Sequence, residues 1–164
     1  MDTTVFTIPA SEDSEALIEE LILGERTESM ILISGGYDET EGGKELSRRL
    51  RGTIARGRGL PGGGTVVNGP NCMGIISGPG GYNTFFLPRY KFQLEGQYGG
   101  RSAVISQSGA YVLSRLDRLA WLDPAAVITV GNQIDLTVGD YLDHFADDPA
   151  VEVVACYVEG FRPG

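Results

Sequence analysis

Short apolar runs alternate along the chain with stretches whose apolar residues recur every three or four positions, and that alternation predicts an α/β architecture. The apolar runs cover residues 4–9 (closed by Pro9), 30–33, 65–67, 102–106, 126–130 and 151–158, and each is predicted as a strand. Between them, residues 11–24 read as a helix. Ser11-Glu12-Asp13 caps it with acid in the first turn, Leu17, Ile18, Leu21 and Ile22 point inward, and Gly24 stops it. Residues 41–56 form a second helix with Leu46, Leu50 and Ile54 inside. Residues 108–120 form a third, with Val112, Leu113, Leu116 and Leu119 on one face, and residues 138–145 a fourth. Thr84-Phe85-Phe86-Leu87, bounded by Pro88, reads as an edge strand. Right-handed crossovers would set helices on both faces of parallel sheets. Two lobes are expected, residues 1–95 and 96–164, joined by a glycine-punctuated linker at residues 90–100.

The strands run into polar, glycine-rich turns at their carboxyl ends, the place where open parallel sheets bind ligands. Ser106-Gln107-Ser108-Gly109 is the most informative, since a strand precedes it and an amphipathic helix follows. Helix-start N–H groups lack intrahelical partners and the helix dipole is positive there, so an anion suits the position. Ser106 and Ser108 add hydroxyls, and Gly109 allows close backbone approach. The same residues equally read as a plain helix start, with Ser108 as its N-cap. A serine hydrolase with Ser108 as nucleophile fits poorly. Its elbow needs glycine two residues to either side, where Ser106 and Ala110 stand.

Composition narrows the partners. A formal charge of -9 over 164 residues argues against nucleic acid or an anionic membrane. The arginines at 48, 49, 51, 56 and 58 read as a solvated helix face. No apolar run is long enough to span a bilayer, and a cytoplasmic protein is expected. Two cysteines and one histidine give neither a disulfide framework nor metal-ligand spacing. Cys72 reads as a reactive thiol or a packed small side chain, Cys156 and Trp121 as core, and His144 as an ordinary helix residue. Asn132 and Asp135 suit a ligand contact, and equally a turn and a helix cap.

Taken together, the turns are more specific than any one of them. Gly69-Pro70-Asn71-Cys72-Met73-Gly74, Ser106-Gln107-Ser108-Gly109, Gly131-Asn132-Gln133-Ile134-Asp135 and Tyr157-Val158-Glu159-Gly160 follow in that order. The chain thereby resembles the α part of the nucleoside-diphosphate-forming acid–CoA ligases, the ADP-forming acyl-CoA synthetases more than the succinyl-CoA synthetases. The resemblance runs from Val5 to Gly160. It implies an incomplete Rossmann-like CoA-binding lobe followed by a flavodoxin-like ligase lobe. It also implies interconversion of acyl-CoA, phosphate and ADP with free acid, CoA and ATP, through an acyl phosphate and a phosphohistidine. In that family an ATP-grasp subunit or domain supplies the nucleotide and magnesium.

Carried over by matching residues, Ser106, Gln107, Ser108 and Gly109 would hold phosphate. Asn71, Cys72, Asn132 and Asp135 would line the centre, and Glu159 would orient the catalytic histidine. Tyr37 and Glu39 match a family turn near the nucleotide-like site. Two departures are expected to matter. Only Met1-Asp2-Thr3 precedes the first strand, where the family has a CoA-gripping turn, so that strand is expected as an open edge that invites self-association. The family's phosphohistidine lies beyond the Glu159 match. A non-catalytic CoA- or phosphate-binding or assembly module of the same fold is the alternative.

Overall fold

The computed structural model describes residues 2–88, 99–116, 118 and 120–161. Three parallel strands, β1 (Thr3–Phe6), β2 (Ser29–Leu32) and β3 (Val66–Asn68), form a first sheet in that order. Helices α1 (Glu12–Leu23) and α2 (Gly43–Arg58) make the crossovers. Ser11 starts α1 as expected: its Oγ accepts the Ser14 N–H at 3.1 Å, while Ser14 Oγ accepts the Ser11 N–H at 2.9 Å. The buried stripe of α1 is narrower than periodicity suggests. Ser14, Ile18 and Ile22 face the sheet at i, i+4 spacing, whereas Leu17 is 40% exposed and Leu21 only partly buried. Phe6, Met30, Leu32, Leu50, Ile54 and Val67 complete this core.

The second sheet has five strands in the order β5-β4-β7-β6-β8. Strands β6 (Ser102–Ser106), β7 (Ala126–Thr129) and β8 (Val153–Tyr157) are parallel. Helices α3 (Gly109–Leu116) and α4 (Val138–Ala146) cover opposite faces. Ala103, Ile105 and Ile128 pack toward Val138 and Phe145, and Val127 toward Val112 and Leu116. Strand β4 (Ile75–Ser77) joins antiparallel to β7, and β5 (Tyr82–Asn83) pairs antiparallel to β4, so this sheet is mixed rather than wholly parallel.

The edge strand expected at residues 84–87 does not form. Thr84 instead closes onto Ile75 through its own N–H and hydroxyl, and Phe85 turns into the core. Two further expectations are corrected. Trp121 lies on a 3₁₀ turn (Ala120–Leu122) beyond the shortened α3 and is 77% exposed. Cys156 is exposed because β8 is the outermost strand, with a neighbour on one side only. The expected linker falls almost wholly outside the described residues, as does Leu119. No helix among the described residues is long and apolar enough to cross a membrane.

The two sheets are stitched together through backbone. The Asn132, Ile134 and Leu136 N–H groups donate to Pro70, Gly69 and Val67 carbonyls at 2.9, 2.8 and 3.1 Å, and Ile134 inserts into the first core. Every arginine of α2 reaches a carboxylate: Arg48 to Glu45, Arg49 to Glu15, Arg51 to Asp38, Arg56 to Glu19 and Arg58 to Asp135. That face is an ion-paired surface laid partly along α1.

Candidate functional site

The carboxyl ends of the strands open into a cleft of 580 Å³ between the two sheets. Turns from four separated places meet there. Ser34 and Gly35 follow β2, Asn71 to Met73 follow β3, Gln107 to Ala110 follow β6, and Glu159 follows β8. Six of the residues singled out in the sequence thus share one cavity: Asn71, Cys72, Gln107, Ser108, Gly109 and Glu159. No Lys, Arg or His is among the described residues lining it.

Each of these turns is shaped by close contacts. Gly109 is required where Met73 crosses the start of α3, since an added Cβ would lie 2.0 Å from Met73 Cγ. At Gly69, with φ of +103°, an added Cβ would lie 2.3 Å from the Leu32 carbonyl oxygen. Asn71 takes a positive φ of 56°, donates its N–H to Ser34 at 3.0 Å, and brings its side chain against Gly35.

Ser106 and Ser108 divide the work of the phosphate turn. Ser106 is fully buried. Its hydroxyl donates to the Ser108 carbonyl at 2.8 Å and accepts the Ser108 N–H at 3.2 Å, so it shapes the turn from behind. Ser108 Oγ accepts the Tyr111 N–H at 3.3 Å, which makes it the N-cap of α3. The next two N–H groups, Gly109 and Ala110, have no partner among the described residues and stand at the cleft. Cap and anion seat are therefore compatible. Ser108 uses a lone pair for the helix, while its O–H hydrogen and two backbone donors remain for a ligand.

Gln107 contributes differently from its neighbours. Its N–H donates to the Tyr157 carbonyl at 2.9 Å, and its Oε1 accepts both the Glu159 and Gly160 N–H groups, at 2.8 and 3.1 Å. Alongside it, the Tyr111 and Tyr157 rings stack at 3.8 Å, with the Arg115 guanidinium 5.1 Å from the Tyr111 centroid.

Cys72 lines the cleft but is 5% exposed; its thiol donates to the Leu32 carbonyl and receives the Asn68 amide. Burial pushes its pKa up to about 11, which leaves it a thiol at neutral pH. Behind it, Asn68 donates to the Thr129 carbonyl at 3.0 Å and accepts from the Tyr141 hydroxyl at 2.9 Å. This buried polar network joins the two lobes beneath the cleft floor. Neither Asn68 nor Tyr141 stands out in the sequence, because each pairs across more than sixty residues.

The remaining sequence candidates stand apart from the cleft lining. Asn132 donates to Glu39, whose carboxylate also accepts the Gly36 N–H. Partial burial opposes ionisation of Glu39, but these hydrogen bonds prevail and hold its pKa below the usual value. Asp135 takes the Arg58 guanidinium at 2.7 Å and the Val67 N–H at 2.8 Å. Thr137, not Asp135, caps α4. Tyr37 is buried in the first core, where burial and the nearby Glu15 and Glu39 push its phenol up to about 12. His144, exposed on α4, stacks edge-on against Phe145 and borders a smaller apolar pocket behind β4 and β7.

Comparison with known proteins adds relatives to this geometry. Residues 99–164 match the succinyl-CoA ligase like flavodoxin domain. The whole chain is 30% identical over 169 residues to the ADP-forming acetate–CoA ligase I of Archaeoglobus fulgidus, covering 22% of that protein. It is 30% identical over 168 residues to the α subunit of the ADP-forming acetate–CoA ligase II of Pyrococcus furiosus, covering 33% of it. Among solved structures, the whole chain superposes on the dinucleotide forming acetyl-coenzyme A synthetase 1 of Ca. Korarchaeum cryptofilum, in complex with phosphate and ADP. The TM-score is 0.80 with 28% identity, over 32% of that chain. The chain thus spans between a fifth and a third of the length of these relatives.

Proposed function

We propose that this chain, which is 30% identical over its whole length to ADP-forming acetate–CoA ligases, forms the phosphate-binding segment of an acyl-CoA synthetase. The overall reaction would interconvert acyl-CoA, phosphate and ADP with free acid, CoA and ATP. The observation that carries the reading is the convergence on one cleft of two unpartnered N–H groups, at Gly109 and Ala110, with the Ser108 hydroxyl and the positive end of α3. Donors of this kind suit a phosphoryl group and need no cationic side chain. The similar acetyl-coenzyme A synthetase solved in complex with phosphate and ADP supports the ligand class.

Glu159 lines the same cleft as these donors. A carboxylate there repels a bare anion, and it suits a partner that donates a proton, such as an imidazole N–H. Its proposed role is to orient the histidine of a phosphoryl relay. His144 lies outside this cleft, and it is the single histidine of the sequence. The relay histidine is therefore proposed to come from outside these 164 residues, as are the ATP-grasp part that holds nucleotide and magnesium and most of the grip on CoA. A second reading, a phosphate-binding module without turnover, is favoured by the lack of any Lys, Arg or His among the described cleft residues.

Incubation of the chain with acetate, CoA, ATP and magnesium tests this division of labour. We expect no steady turnover from the chain alone, and recovery of turnover when it is joined to a histidine-bearing and ATP-grasp portion of a relative. Steady turnover alone would overturn the reading and hand the relay to His144. No turnover in the joined enzyme would leave the non-catalytic module.

A further inference from the structure

We propose that Gln107 is a positioning residue for Glu159, an assignment that rests on the phosphate-cleft reading above. One carboxamide oxygen accepts the N–H groups of two successive residues, Glu159 at 2.8 Å and Gly160 at 3.1 Å. The backbone N–H of the same residue donates to Tyr157 at 2.9 Å, continuing the ladder between β6 and β8. Gln107 therefore grips the turn after β8 at both ends, across a sequence separation of 52 residues.

Its neighbours on the chain, Ser106 and Ser108, shape the start of α3. A single tripeptide thus shapes the start of α3 and holds the backbone that carries the Glu159 carboxylate. The double acceptance also fixes which way the carboxamide faces, because a flipped amide would set its NH₂ against two N–H donors. Glu159 itself is exposed, and its backbone N–H donates to Gln107. Without Gln107, the Tyr111–Tyr157 stack still holds the strand end, but among the described residues no other side chain bonds the backbone of the residue that carries the acid.

The test compares Gln107→Leu, which keeps the bulk and loses the acceptor, with Gln107→Glu, which keeps an acceptor. Amide exchange of Glu159 and Gly160 is followed by NMR, and the side-chain resonances of Glu159 are recorded with and without inorganic phosphate. In the wild-type chain, phosphate should move the Glu159 resonances together with the Gly109 and Ala110 amides, because all three residues line one cleft. Gln107→Leu is expected to speed exchange of the Glu159 and Gly160 amides at least tenfold and to erase the phosphate-induced shift at Glu159. It should leave the phosphate response of Gly109 and Ala110 in place. Gln107→Glu should restore slow exchange. Unchanged exchange and an unchanged phosphate response of Glu159 in Gln107→Leu would overturn the assignment. If phosphate moves no wild-type amide, the phosphate reading fails, and the exchange rates alone still decide the fate of the Gln107 strap.

Discussion

Gly109 and Cys72 show how single residues can look alike in a sequence and do unlike things. Both sit in polar turns and both line the cleft, yet Gly109 is there for want of space and Cys72 for packing. Gly109→Ala should force Met73 aside and cost about 1–3 kcal/mol by overpacking. Urea unfolding of the variant, and its rescue in Gly109→Ala/Met73→Ala, checks the cause. For Cys72 the prediction concerns pH. Its pKa is raised to about 11 in the folded chain, so the thiol keeps its proton longer folded than unfolded. Its contribution is complete below pH 9 and is lost as pH climbs through 9 toward 11, by on the order of 2 kcal/mol. Tyr37, raised to about 12, acts in the same direction over a slightly higher window. Urea midpoints should therefore fall between pH 9 and 12, and less steeply in Cys72→Ala; a flat profile would contradict this. The lining of the candidate cleft was legible in the sequence where a turn is a local object, as at residues 107–109 and 71–72. Met73 and Phe86 were not, because an apolar side chain at a cleft carries no local signature.

Among the elements, those built on a cap or a continuous apolar run were readable in advance. Ser11 and the stripe at Ile18 and Ile22 announce α1, and β2, β6 and β7 fall within a residue of their apolar runs. The strands β4 and β5 were hidden. They are three and two residues long and separated by glycines; β5 pairs only with β4, and β4 owes its place to β7 some fifty residues away. In the turn Gly131–Asp135, Asn132 and Asp135 suit a ligand contact and equally a turn and a helix cap. In the structure this stretch is a seam between the sheets, with Asp135 bonded to the Val67 N–H. Two substitutions separate the forces there. Arg58→Ala removes a half-exposed ion pair and should cost at most about 1 kcal/mol. Asp135→Ala also strands the Val67 N–H and should cost more, about 1–3 kcal/mol. Thermal unfolding of both, with phosphate titration alongside, checks the ranking. Equal small losses of stability with a loss of phosphate binding in Asp135→Ala would make Asp135 a ligand residue instead.

At the scale of the molecule, two sheets tied together by the backbone of residues 132–136 leave outer strands at their ends. β1 ends the first sheet and β8 the second, with Val5 42% and Val153 61% exposed. Unpaired strands with apolar side chains invite pairing with another chain. Sedimentation velocity should accordingly show self-association that grows with concentration and is suppressed in Val5→Lys or Val153→Lys; a monomer throughout would count against it. The cleft between the sheets is the feature on which the functional account stands. Titrating inorganic phosphate into the 164-residue chain, followed by amide NMR, tests that account most directly. Since a helix-end charge effect is worth only about 0.3–1 kcal/mol at an exposed site, binding should be weak, in the millimolar range. Shifts should centre on Ser108, Gly109 and Ala110 and vanish in Ser108→Pro. Shifts centred on the arginines of α2, or none at any amide of the cleft, would contradict the account and leave Ser108 as an N-cap alone.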